Sequence, residues 1–179
     1  MINFYKPTAK NTGHACQFWF SKNEKSFFVE LLKQHSWNQQ TKTGSFKGSK
    51  SNPSKRTIIK LGIVEACEIL ETIDKNVKWS TYHTNEKNTT QIYFEPYIRD
   101  GQQVGFSFRV NKSSKQDTTQ SGKASFIIGF KNAEARLLKE YLTAGLHQII
   151  TYVPPAPPTK SARSKTPKTT ESSEEEVIF

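Results

Sequence analysis

The chain has 179 residues, with 26 Lys and Arg against 16 Asp and Glu, and its formal net charge is +10. This length allows one ordinary domain, or two very small ones, with a core that needs no disulfide or metal. No run of about 18 apolar residues occurs, and the start of the chain lacks the apolar segment of a signal peptide, so we expect an intracellular protein without a membrane span.

The positive charge is unevenly distributed along the sequence. Residues 1–153 hold 22 bases and 12 acids, whereas residues 154–179 hold four of each. A surplus of this size on a compact domain attracts polyanions, of which nucleic acid is the first candidate and an anionic membrane the second.

Residues typical of catalysis and metal binding are missing. Cys16 and Cys67 lie far apart, and the four histidines share no spacing that suggests metal ligands. No paired carboxylates, phosphate-binding glycine loop or nucleophile with its base can be recognised. We therefore expect a non-enzymatic protein without cofactor or metal, in a reducing compartment.

The first half of the chain predicts four strands and a helix. Apolar and polar residues alternate within 15–21, and the strand candidates that follow are 26–35, a short 45–47, and 56–61. After Gly62 the period changes to three or four residues, which indicates an amphipathic helix from Val64 to Ile73.

The second half repeats this order of elements. Strands are predicted at 78–84, 90–98, 103–111 and 123–130, followed by a helix over 133–150 with Asn132 as its N-cap. The predicted fold class is therefore α+β, with two antiparallel four-stranded sheets each followed by a helix. The two modules cover about 14–76 and 77–153, and we expect Phe106, Phe108, Phe126 and Phe130 in the core.

Residues 154–170 contain no large apolar side chain that could join a hydrophobic core. The prolines from Pro154 onward end the last helix, and 154–170 reads as a disordered Pro/Lys/Ser/Thr linker. Residues 171–179 form an acidic and apolar tail that resembles the C-terminal peptides by which replication single-strand-binding proteins recruit partner enzymes. Its expected partner-binding residues are Glu174, Glu175, Glu176, Val177, Ile178 and Phe179.

The first module resembles the single-stranded-DNA-binding fold of the transcriptional coactivator positive cofactor four. The matching features are a turn framed by Phe20, Lys22 and Lys25, an apolar strand closed by Trp37, and a basic, glycine-bearing segment over 42–50. A strand that runs directly into a helix follows at 57–73.

The second module resembles the same family at its strand-to-helix junction, residues 130–139. Two such modules in one chain are similar to the Whirly proteins and the mitochondrial guide-RNA-binding proteins. This resemblance implies a Whirly-like fold, ββββα repeated twice, and a homo-oligomer, either a dimer or a tetramer.

Cations and aromatic rings alternate in a manner typical of single-strand binding. Lysines neutralise phosphates, and base–aromatic stacking contributes about 1–3 kcal/mol per base for any sequence. The polar contexts of Trp37 and Phe46 predict that both rings are exposed. The expected contact residues are Trp19, Phe20, Lys22, Lys25, Trp37, Lys42, Phe46, Lys47, Lys50, Lys55, Arg56, Trp79, Tyr82, Tyr93, Arg109, Lys112 and Lys123.

These features predict a sequence-independent single-stranded-DNA-binding protein of replication, recombination or repair that recruits partners through its tail. It would act in the cytoplasm or nucleoid, or in the host cell if a virus encodes it. The first alternative keeps the fold and changes the target to an RNA-binding or annealing protein or a coactivator. The second alternative is a scaffold whose basic face meets a protein or an anionic membrane.

Overall fold

A computed structural model of the protein describes residues 1–116 and 123–155. The predicted tail 171–179, and the predicted linker from residue 156 onward, lie outside these residues. The elements of the described residues are β1 (Ile2–Lys6), β2 (His14–Ser21), β3 (Ser26–Lys33), β4 (Ser36–Asn38), β5 (Thr43–Ser45), a 3-10 turn (Lys47–Ser49), β6 (Arg56–Leu61), α1 (Ile63–Lys75), β7 (Trp79–Thr84), β8 (Asn88–Arg99), β9 (Gln102–Ser114), β10 (Lys123–Lys131) and α2 (Asn132–Ile150).

The ten strands form three antiparallel sheets within the described ranges. The first sheet has the order β1-β2-β3-β6, and the second has the order β10-β9-β8-β7. The third is the small hairpin of β4 and β5, in which Trp37 lies opposite Gly44. Both large sheets alternate inward and outward side chains, as their sequences indicate.

The predicted architecture of two units, each with four strands and a helix, is wrong. Six strands precede α1, and two of them form a separate sheet. Strand β1 was not predicted, although it pairs with β2 along its whole length and buries Phe4. The short candidate at 45–47 does not join the first sheet, because Thr43–Ser45 folds back on Ser36–Asn38 and the chain then turns.

The core lies between the inner faces of the two large sheets. Phe18 of the first sheet is fully buried, and its ring centroid lies 6.0 Å from that of Phe108 and 6.4 Å from that of Phe130 in the second sheet. Phe4 meets Phe130 edge to face at 4.8 Å. The predicted burial of Phe106, Phe108, Phe126 and Phe130 is confirmed.

In the first turn of each helix, a glutamate side chain accepts a hydrogen bond from the backbone N–H of the N-cap residue. The Gly62 N–H donates to Glu65 Oε2 at 2.8 Å, and the Lys131 N–H donates to Glu134 Oε2 at 2.7 Å. Each bond satisfies an N–H group that the helix itself leaves free. Lys131 is therefore the N-cap of α2, and the predicted N-cap at Asn132 is wrong by one residue.

Glu134 also ties β1 to α2 through an ion pair with Lys6. Burial acts to raise the pKa of Glu134, but the hydrogen bonds from Lys6 and from the Lys131 backbone outweigh it. The net effect is a lowered pKa. Strand β1 is thus held in place by the burial of Phe4 in the core and by the ion pair between Lys6 and Glu134.

Candidate nucleic-acid interface

The outer face of the first sheet carries a stacked pair of aromatic rings. Trp19 of β2 lies opposite Phe28 of β3 in the strand register, and both side chains point away from the core. Their ring centroids are 5.5 Å apart and their planes differ by 14°. Both rings are half-buried, so the pair presents an apolar platform beside solvent.

Cations of β6 flank this platform. The Lys60 ammonium lies 5.7 Å from the Phe28 ring centroid and 2.8 Å from Glu24 Oε2. Arg56 lies four residues before Lys60 on the same strand, and its Nε donates to Glu30 Oε1 at 2.6 Å. The face therefore places two cations, each paired with a glutamate, next to flat rings.

Phe46 and Trp37 do not stand free in solvent as predicted. Phe46 is only 8% exposed, because it folds onto the outer face of the first sheet and packs with Ala15 and Leu32. Its ring centroid lies 6.0 Å from that of Tyr5. The prediction that Phe46 is exposed is wrong, and Trp37 in the small hairpin is half-buried.

The outer face of the second sheet holds a different set of aromatic and charged groups. Tyr93 of β8 lies opposite Arg109 of β9, whose guanidinium carbon is 4.7 Å from the Tyr93 ring centroid. The Lys78 ammonium lies 5.7 Å from the same ring. Glu95 accepts from Arg109 at 3.2 Å and pairs with Lys78 at 3.2 Å, so both cations are held beside the tyrosine.

Two further tyrosines of the second sheet are open to solvent. Tyr82 of β7 is 69% exposed and Tyr97 of β8 is 49% exposed. Exposed aromatic rings on a sheet surface gain no core energy, and they are the side chains on which unpaired bases stack.

A groove of about 490 Å³ joins the first sheet to the second. Its cations are Lys50, Arg56 and Lys112, and Lys50 and Lys112 have no ion-pair partner among the described residues. Lys33 of β3 lies close to the second sheet, with its ammonium 5.1 Å from the Phe126 ring centroid. Neighbouring cations repel one another, so this groove favours a bound polyanion.

Charge is segregated between the helices and the rest of the described chain. The two helices hold six acids and three bases, whereas the strands and loops hold five acids and 19 bases. The excess positive charge therefore belongs to the part of the molecule that carries the outer faces and the groove.

The predicted site residues divide into three groups. Trp19, Arg56, Tyr82, Tyr93, Arg109 and Lys123 lie on the outer faces. Phe20, Trp79 and Lys112 point to the inner side, where Phe20 and Trp79 pack against the core and Lys112 reaches the groove. The remaining predicted residues lie in the β2–β3 turn, in β4, or between β4 and β6; they are Lys22, Lys25, Trp37, Lys42, Phe46, Lys47, Lys50 and Lys55.

Rings and cations of both sheets are absent from the predicted contact residues, including Lys78 and Tyr97 at the second sheet. At the first sheet, Phe28 stacks on Trp19, Lys60 lies over the Phe28 ring, and Tyr5 contacts Phe46. No signal in the sequence identifies Phe28 as outward, because its neighbours Phe27 and Val29 are also apolar and the segment shows no alternation.

Neither a metal cluster nor a helix able to span a membrane is found in the part of the chain that the structure describes. No group of three or more His, Cys, Asp or Glu side chains there is placed to hold a metal ion. Neither helix in these residues combines the length and apolar character needed to cross a bilayer.

Comparison with known proteins identifies a fold but no family. No family model matches the chain, and no curated protein matches it. Among solved structures, the MRP1/MRP2 proteins of Trypanosoma brucei superimpose with a TM-score of 0.54 at 13% sequence identity. The match covers 84% of this chain and 85% of that chain, and at this identity it shows a shared fold alone.

Proposed function

We propose that this protein binds single-stranded DNA without regard to sequence, in replication, recombination or repair. The observation that carries the proposal is the placement of rings and cations on the same faces. Trp19 stacks on Phe28 beside Lys60, and Tyr93 lies beside Arg109 and Lys78. The segregated positive charge supports it.

These faces favour an unpaired strand over a duplex. Stacking on a protein ring requires a base whose face is free, and in a duplex each base face is covered by the next pair. An unpaired strand places its bases on the rings and its phosphates near the cations, at about 1–3 kcal/mol per stacked base. Because these contacts use ring faces and phosphates, they tolerate any base order.

The remaining predictions complete the proposal. The resemblance to positive cofactor four and the Whirly proteins, and assembly as a dimer or tetramer, stay predictions. We place the protein inside the cell, where replication exposes single strands.

Residues 171–179 would recruit a replication or repair enzyme. A chain cut after Thr170 should then keep or gain DNA affinity and lose that partner, and unchanged partner binding would reject the role of the tail.

Parallel titrations separate the proposal from its alternatives. DNA and RNA oligomers of one sequence, about 20 nucleotides long, are titrated with the full chain under identical conditions. Preferential or equal binding of DNA supports the proposal. Clear preference for RNA favours the RNA-binding alternative, and negligible affinity for both at moderate salt favours a scaffold whose basic face meets another partner.

A further inference from the structure

A small pocket lies on the outer face of the second sheet, between β7 and β8. Its volume is about 230 Å³, and it is lined by Ser80, Thr81, Tyr82, Thr89, Gln91 and Tyr93. Pockets for drug-sized ligands usually span about 300–1,000 Å³, so this one suits a single small, flat group.

The strand register places Gln91 between the two tyrosines of the pocket. Tyr82 lies directly opposite Gln91, and Tyr93 lies two residues further along the same strand as Gln91. Such diagonal neighbours on a sheet face are about 7–8 Å apart at their Cα atoms. The two tyrosines therefore flank Gln91 on one face of the sheet.

Hydrogen bonding in the pocket leaves an amide donor free. The Tyr93 hydroxyl donates to Gln91 Oε1 at 3.2 Å, while Gln91 Nε2 has no acceptor among the described residues. Tyr93 is held in place by Arg109, whose guanidinium carbon lies 4.7 Å from the ring centroid. The pocket therefore presents the Gln91 N–H groups to an entering base, with the amide oriented by the Tyr93 hydroxyl.

We propose that this pocket holds one base of the bound strand and prefers a keto pyrimidine, thymine or uracil, over cytosine. The inference rests on the proposed function. The carbonyl at the 4-position of thymine or uracil accepts a hydrogen bond from the Gln91 amide. Cytosine carries an amino donor at that position, which meets the amide N–H donor unfavourably.

The test compares oligo-dT with oligo-dC of equal length, titrated against the full chain near neutral pH. Both are pyrimidine strands with the same backbone, and the Gln91 variants show how much of their affinity ratio comes from the hydrogen bond to the base edge. Because one neutral hydrogen bond joins the Gln91 amide to the thymine carbonyl, we expect oligo-dT to bind about three- to ten-fold more tightly than oligo-dC. Gln91→Ala should bring the ratio close to one. Gln91→Glu should shift it toward oligo-dC, because a carboxylate accepts from the cytosine amino group.

Gln17→Glu is the matched control, since it adds the same charge to the outer face of the first sheet. It should weaken binding of both oligomers alike and leave their ratio unchanged. Gln91 is exposed, so its variants keep the core, and thermal melting of each variant checks this.

Two results would refute the proposed preference of the pocket for thymine or uracil over cytosine. Equal wild-type affinities for the two oligomers would do so, as would a Gln91→Glu ratio equal to that of wild type. In both cases the proposed single-strand function survives, because the oligomers still bind. If neither oligomer binds, both the proposed function and the proposed base preference of the pocket are refuted.

Discussion

The indole of Trp19 and the ring of Phe28 lie nearly parallel, with planes 14° apart and centroids 5.5 Å apart, on the outer face of the first sheet. The two residues are direct cross-strand partners on β2 and β3. A pair of this kind on an outer face is held by the sheet itself, so it is in place before any ligand arrives. Such preorganisation lowers the entropy cost of binding.

Removing the platform should weaken binding of single strands. Trp19→Ala is expected to lower the affinity for an oligomer of about 20 nucleotides by roughly 5- to 150-fold, the equivalent of one lost stacking contact. Trp19→Phe keeps a flat ring and should retain most of the affinity. Fluorescence anisotropy measures both variants. The control is Val64→Ala, an exposed residue of α1, and wild-type affinity in Trp19→Ala would refute the platform.

The groove between the sheets should contribute to the salt dependence of binding. Lys50→Gln and Lys112→Gln each remove one candidate phosphate contact, so each should reduce the slope of log affinity against log salt by about 0.7. Arg136→Gln removes a charge of α2 that lies away from the groove and the outer faces, and it should leave the slope unchanged. Equal slopes for all three variants would place the phosphates elsewhere.

Gly105 should be the least replaceable glycine of the second sheet. Its φ is +154°, and a Cβ atom there would lie 1.9 Å from the carbonyl oxygen of Phe130. Gly105→Ala must therefore displace the β9–β10 backbone, and we expect it to lower the free energy of unfolding by about 3 kcal/mol or more.

Gly129 of β10 is the control for this substitution. A Cβ atom there would meet nothing within 4 Å, so Gly129→Ala should be neutral or slightly stabilising. Urea unfolding measures both variants, and similar stabilities for the two would contradict the close approach at Gly105.

His14 should make the fold sensitive to mild acid. Burial, and then the positive charge of Lys33, lower the pKa of His14 below its ordinary value of 6.5. The unfolded chain therefore takes up this proton at a higher pH than the folded chain does. Stability from neutral His14 is fully present above pH 6.5 and is lost as the pH falls from 6.5 toward the lowered folded pKa.

Urea unfolding at two pH values on either side of 6.5 measures this effect. Wild type should lose free energy of unfolding at the lower pH, and His14→Gln should lose less of it. Keeping the lower pH above the ordinary value of 4.5 for Glu134 leaves that carboxylate out of the comparison. An equal loss in wild type and in His14→Gln would show that His14 is not responsible.

The parts of the fold that the sequence predicts are those set by local periodicity. The alternation of apolar and polar residues predicts a strand that contains Phe106 and Phe108. Apolar residues at spacings of three to four predict α2. Each pattern arises because one face of the element is buried. Strand β1 was missed because it is short and because a polar segment separates it from β2. Only its pairing with β2 and the burial of Phe4 identify it.

The site was harder to predict because it depends on contacts between distant residues. Alternation shows that Trp19 and Phe20 face opposite sides, but only the packing of the second sheet determines which is outward. Phe46 has polar sequence neighbours, yet Ala15 and Leu32 provide an apolar surface on which it packs. The Trp19–Phe28 stack depends on the register of two strands joined by a turn.

The central claim is that an unpaired strand lies on the outer faces of the two sheets. Its most direct test is an anisotropy titration of the full chain with single- and double-stranded DNA of one sequence, over a series of salt concentrations. We expect a clear preference for the single strand. The slope of log affinity against log salt concentration should be about −3 to −5, which corresponds to roughly four to seven phosphate contacts. Equal affinity for the duplex, or a slope near zero, would contradict it.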